Sequence, residues 1–136
     1  MTDTLLSPPT EACSAVVHFF IGMMKADGTV TEAEQRKVEI LAHKFRHVLP
    51  FDATALVPAM TSAMSQQQYD QHLAMDHMDV GLKYFDAFVA SGQAEEEHMS
   101  AVLEMLEILM EVDGVTANEE LYFSKLKEAF DKRYGA

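Results

Sequence analysis

One phrase occurs twice in this chain, and it constrains the fold more than any other feature. Near the start it reads Ala26-Asp27-Gly28-Thr29-Val30-Thr31-Glu32-Ala33-Glu34; near the end, Val112-Asp113-Gly114-Val115-Thr116-Ala117-Asn118-Glu119. Each copy follows a Met-rich apolar run and precedes an amphipathic stretch. With the Thr29 slot dropped from the second copy, Val30 aligns with Val115, Thr31 with Thr116 and Glu34 with Glu119. The stretches that follow then match as well: Val38 with Phe123, Leu41 with Leu126, Phe45 with Phe130. A duplication at this distance implies two copies of one supersecondary unit.

The chemistry of the phrase is that of a helix-turn-helix clip. Gly after Asp supplies the left-handed stop that ends a helix, and Asp accepts backbone N–H bonds in the turn. Thr three residues before Glu is a capping box for the next helix. The runs on either side agree with this. Val16, Val17, Phe19, Phe20, Ile21, Met23 and Met24 wrap nearly all round a helix expected from Ser7-Pro8 to Lys25, which marks it as central and buried. Val38, Leu41, Phe45 and Val48 form one stripe on a second helix that stops before Pro50.

Asp52 caps a short third helix, which Pro58 should kink or split. Ser65 with Gln68 suggests another capping box, opening a long helical segment through Val89. Tyr69, Leu73, Val80, Tyr84, Phe85 and Phe88 recur at helical spacing there, with a break expected around Asp76-His77-Met78-Asp79 and Gly81. A fifth helix, behind Glu95-Glu96-Glu97, carries Met99, Val102, Leu103, Leu106, Leu109 and Met110. The last begins at Thr116 and carries Phe123, Leu126 and Phe130. No segment alternates with period two. The expected fold is all-α, a compact bundle of six to seven helices in two pseudo-symmetric halves: a first repeat over 11–48, connecting helices over 51–92 and a second repeat over 93–132, all within one domain of 1–136.

The 136 residues carry 22 Asp and Glu against ten Lys and Arg, a net charge of −12. So acidic a surface cannot neutralise phosphates, which argues against nucleic acid and anionic lipid as partners. Cations or a basic protein surface are compatible. No apolar stretch reaches bilayer length, so direct membrane insertion is not expected. No basic segment precedes the apolar run around Ala15 to Met24, and the single Cys13 suits a reducing compartment; both point to the cytoplasm.

Asp-Gly-x-Val-x-x-x-Glu looks like the second half of an EF-hand calcium loop. The first half needs oxygen ligands four and two residues before the Asp. Those positions hold Met23 and Lys25 in one copy, Leu109 and Glu111 in the other, and three of the four cannot ligate through oxygen. The second loop is also one residue short, so an EF-hand is excluded. An incomplete cluster remains: Asp27, Glu34, Asp113 and Glu119 would bind a divalent cation weakly if the two loops met.

Taken together, the two phrases and their flanks resemble the tellurite-resistance TerB family. Its pattern is a Met/Leu-rich helix, then Ala-Asp-Gly, a β-branched residue and a Glu opening the next helix, and it occurs twice. Met24 to Glu34 follows it closely; Met110 to Glu119 follows it with Val for Ala and the shortened loop, so the likeness extends over roughly Glu11 to Phe130. The resemblance implies a bundle of about seven helices in a cytosolic protein associated with tellurite and chemical-stress resistance. It also implies work in metal-responsive, membrane-linked protein complexes, and it brings no enzymatic activity.

Other constellations have blander accounts. Glu39, His43 and His47 lie four apart, a spacing that can chelate zinc, but they fall on the face opposite Val38 and Leu41. Glu95 and His98 have the spacing of di-iron bundles, without the second such pair that this chemistry needs. A Glu97, Glu104, Glu107, Glu111 stripe is first a solvent edge and second a surface for a cation or a basic partner. His18, on an apolar face, is expected to be a hydrogen-bonded core residue. The ten Met residues could suggest soft-metal chemistry through thioethers, but Met23, Met24, Met99, Met105 and Met110 sit in apolar runs, where Met is expected to fill core gaps. The function expected is therefore a non-enzymatic TerB-like stress-response protein with protein partners, compatible with a homo-oligomer and binding a divalent cation weakly through the four carboxylates. A pure protein-interaction scaffold with structural loops is the alternative; a metalloprotein using the His-rich faces comes third.

Overall fold

The computed structural model describes residues 10–26, 28, 31–65, 73–92, 96–112 and 116–134. Six α-helices occur there: α1 Glu11–Ala26, α2 Glu32–Lys44, α3 Leu56–Met64, α4 Ala74–Ala90, α5 Glu96–Val112 and α6 Ala117–Tyr134. A 3-10 turn, Ala53–Ala55, precedes α3. Among the described residues there is no strand, and no helix is long and apolar enough to cross a membrane.

α1 is the hub. Its buried residues run almost without interruption from Ala12 to Met24, because no side of it faces solvent for a whole turn. It packs most extensively against α4, and also against α3, α5 and α6. Gly81 makes the α1–α4 approach possible: a Cβ there would lie 2.7 Å from the Phe19 ring and 3.1 Å from the Ala15 carbonyl oxygen. Phe19, Phe85 and Phe130 then form one aromatic cluster, with centroids 5.1 to 6.2 Å apart. Gly22 plays the same part toward α6, its missing Cβ leaving room for the Tyr122 ring. The Tyr122 hydroxyl donates to the Phe19 carbonyl oxygen at 2.9 Å. Burial, with the Asp79 carboxylate second, pushes that phenol far above its ordinary range, so it stays a donor. Asp86 accepts from Arg133 and Tyr134, tying α4 to the end of α6.

Several expectations change. α2 stops at Lys44, with turns through Val48, so it ends earlier than the Val38-to-Val48 stripe suggested. Pro58 does not kink α3: it sits in the first turn, where a missing N–H costs nothing, and the division falls before it, between the 3-10 turn and Leu56. The Ser65 N–H bonds back to the Thr61 carbonyl and its hydroxyl to the Ser62 carbonyl, so Ser65 closes α3; the capping box expected with Gln68 lies outside the described residues. No break occurs at Asp76 to Gly81. Asp76 instead accepts from the Leu73 N–H at 2.8 Å, capping α4, and Gly81 lies mid-helix where Phe19 packs. Ser7 and Pro8 are also outside the described residues, and the described part of α1 starts at Glu11.

Candidate functional site

Both clips place a threonine cap at the start of the helix that follows. Gly28, at φ 139°, adopts the backbone that glycine favours, and its N–H bonds to the Lys25 carbonyl at 3.0 Å, closing α1. Thr31 then caps α2. The Glu34 N–H donates to Thr31 Oγ1 at 3.2 Å, while Glu34 Oε1 accepts from the Thr31 N–H at 2.9 Å and from its hydroxyl at 3.1 Å. The second copy repeats this on α6. The Glu119 N–H donates to Thr116 Oγ1 at 3.2 Å, and Glu119 Oε1 accepts from the Thr116 N–H and hydroxyl at 3.2 and 3.1 Å.

Each Glu of the expected cation site is thus engaged by its own Thr, one carboxylate oxygen taking two hydrogen bonds. The environments differ: Glu34 is half-buried, Glu119 only 6% exposed. Asp27 and Asp113 lie outside the described residues. Among the described residues, no group of three or more His, Cys, Asp or Glu is placed to hold a metal ion. That covers Glu39, His43 and His47 as well. α2 ends at Lys44, so His47 is not carried one turn beyond His43 on a continuing helix. Glu39 and His43 instead flank Ile40 beside Ala53 and Thr54, whereas His47 faces a different groove. His98 packs its ring against Phe88, 5.7 Å between centroids, and Glu95 is outside the described residues.

That second groove is an open trough of 780 Å³ between the end of α2 and the start of α5. Its floor is apolar: Phe45 and Val48 are half-buried and Ala101 is buried. Its α5 wall carries the exposed carboxylates of Glu96, Glu97 and Glu104; the opposite wall carries Lys44, at the end of α2, and His47, in the turn that follows. Glu97 and Glu104 belong to the glutamate stripe visible in the sequence, but the apolar floor does not follow from that stripe. It arises because the chain turns at Phe45 to Val48 and lays those side chains against α5.

The trough thus sets an apolar floor beside a wall of exposed carboxylates. Comparison with family models, with curated proteins and with solved structures produced no match to this chain.

Proposed function

We propose that this protein is a non-enzymatic, TerB-like interaction module of chemical-stress response, and that the trough between α2 and α5 receives a basic, apolar-faced segment of a protein partner. The observation that carries the reading is the pairing of an apolar floor at Phe45, Val48 and Ala101 with the Glu96, Glu97 and Glu104 wall. A partner segment with cationic residues on one edge and aliphatic ones beneath would match both. The net charge of −12 adds long-range attraction for such a partner. The TerB-like part rests on the doubled phrase, and its two complete capping boxes favour loops that work as structural clips over loops that hold a cation.

The test uses a fluorescein-labelled amphipathic Lys/Leu helix, read by anisotropy at low and physiological salt. Glu97→Lys combined with Glu104→Lys should weaken binding about tenfold, worth about 1.4 kcal/mol. A same-charge peptide with scrambled order should bind poorly to the wild type. Equal affinity of wild type and variant overturns the docking role of the trough. A thermal-shift scan across calcium, magnesium, zinc and manganese runs beside it. A rise in Tm that disappears in Asp27→Ala with Asp113→Ala would move the function to cation binding.

A further inference from the structure

α1 and α4 meet through two imidazoles. His18 Nδ1 and His77 Nδ1 are 3.1 Å apart, within hydrogen-bond range. The ring centroids are 5.4 Å apart and the planes differ by 22°. That centroid separation equals the nitrogen gap plus one ring radius at each end. Both Nδ1 atoms therefore lie on the line joining the rings, and the rings are set end to end, each Nδ1 aimed at the other. Only one proton fits between them: one Nδ1 donates and the other accepts. A metal ion does not fit, because two imidazole–metal bonds in line would hold the nitrogens about 4 Å apart.

We propose that His18 and His77 form a proton-sharing latch between α1 and α4, which holds with one proton at the Nδ1 contact and opens at acid pH when a second arrives. Two Nδ1–H groups facing each other at this distance cannot hydrogen-bond, and two buried cations would repel. His18 is half-buried and stacks on Tyr84, 5.9 Å between centroids with planes 10° apart, so protons enter from its side. His77 is only 2% exposed and lies in the first turn of α4, where the positive end of the helix opposes a cation.

The described charged groups around the latch are largely exposed or engaged with neighbours of their own. Within α1, Glu11 and Lys25 lie seven residues to either side of His18. On α4, Asp76 is engaged at the Leu73 N–H, Asp79 is exposed and faces Tyr122 electrostatically, and Lys83 adds positive charge. α3 carries no ionisable side chain. The α5 carboxylates Glu96, Glu97, Glu104, Glu107 and Glu111 are all exposed. On α6, Tyr122 is committed to the Phe19 carbonyl and Glu119 to Thr116.

The sign follows from proton counting. The latched native state holds at most one extra proton at the pair; the unfolded chain takes two as pH falls below the ordinary imidazole range near about 6.5. The unfolded state then binds more protons, so stability is lost as pH falls, by up to about tenfold in the folding constant per pH unit.

Two measurements test this on the whole chain. With ¹⁵N-histidine labelling at neutral pH, a nitrogen–nitrogen coupling between His18 and His77 Nδ1 should appear; two Nε2–H tautomers without it overturn the latch. Urea unfolding at pH 7.5, 6.5, 5.5 and 5.0 is then compared with His18→Asn combined with His77→Asn. Those amides occupy the Nδ1 positions, keep a donor–acceptor pair and take no proton. The double variant should lose the imidazole-dependent slope, whereas His43→Asn with His47→Asn should keep it. An unchanged slope in the first variant overturns the proposal, and if that variant does not fold, the coupling on the wild type decides.

Discussion

Replacing Gly81 with alanine sets helix propensity against packing, and the structure says which prevails. In an exposed helix interior the change would stabilise by about 1 kcal/mol, because glycine is the poorer helix former. At Gly81 the new methyl would sit 2.7 Å from two Phe19 ring carbons and 3.1 Å from the Ala15 carbonyl oxygen. Phe19 is fully buried and wedged between Phe85 and Phe130, and the Ala15 oxygen is main chain, so neither yields without moving α1. Overpacking of this kind costs about 1–3 kcal/mol, and two rigid neighbours place it in the upper part of that range. The net expectation for Gly81→Ala is a loss of about 1–2 kcal/mol after the propensity gain is subtracted. For a chain this long, that lowers Tm by about 3–8 °C. Far-UV circular dichroism melts, with urea titrations for the free energy, read it directly. A double-mutant cycle supplies the control: in a Phe19→Leu background the ring edge is gone, and Gly81→Ala should become neutral or stabilising. A higher Tm for Gly81→Ala in the wild type, or the same loss in both backgrounds, would refute the close-approach reasoning.

Two further expectations concern the clips and the thiol. Thr31→Val and Thr116→Val should each cost about 1 kcal/mol through the lost cap, with calcium leaving both effects unchanged, as thermal melts with and without the ion would show. The Thr116 change should be the more severe, since it takes a hydroxyl donor from the buried Glu119 rather than from the half-buried Glu34. Cys13 is 1% exposed, and burial pushes its thiol up to about 11. It should therefore react with a disulfide reagent at pH 8 only as fast as the chain opens, and at the rate of an ordinary thiol in urea; equal rates in both conditions would contradict its placement.

What the sequence disclosed was what neighbouring residues decide. Val16 to Met24 are apolar on every side, and that alone marks α1 as central. Thr and Glu three apart make a cap wherever a helix can follow, and both capping boxes form. Gly81 looked like an interruption because its value depends on α1, which no local window contains, whereas Asp76 caps α4 through Leu73, only three residues away. Tyr122 escaped notice for a similar reason. Its hydroxyl makes it look like a surface residue until Phe19, 103 positions earlier, presents a carbonyl. His18 was recognisable as a bonded core histidine, but nothing near it in the chain named His77. The trough was half visible: the Glu97 and Glu104 wall follows helical spacing, while its Phe45 and Val48 floor depends on where α2 stops.

The central place of α1 also has a cost in time. It leaves the ribosome before the partners that cover it, and the contact that latches it to α4 spans 59 positions. At ordinary elongation rates that interval lasts about 3–12 s. Throughout it, of the described helices that pack extensively on this one, the short α3 alone has been made. Nascent chains of this protein should therefore depend on holding chaperones more than a bundle of this size built from locally paired helices would. Slower translation through 27–73 would lengthen that dependence without changing a single residue of the finished core.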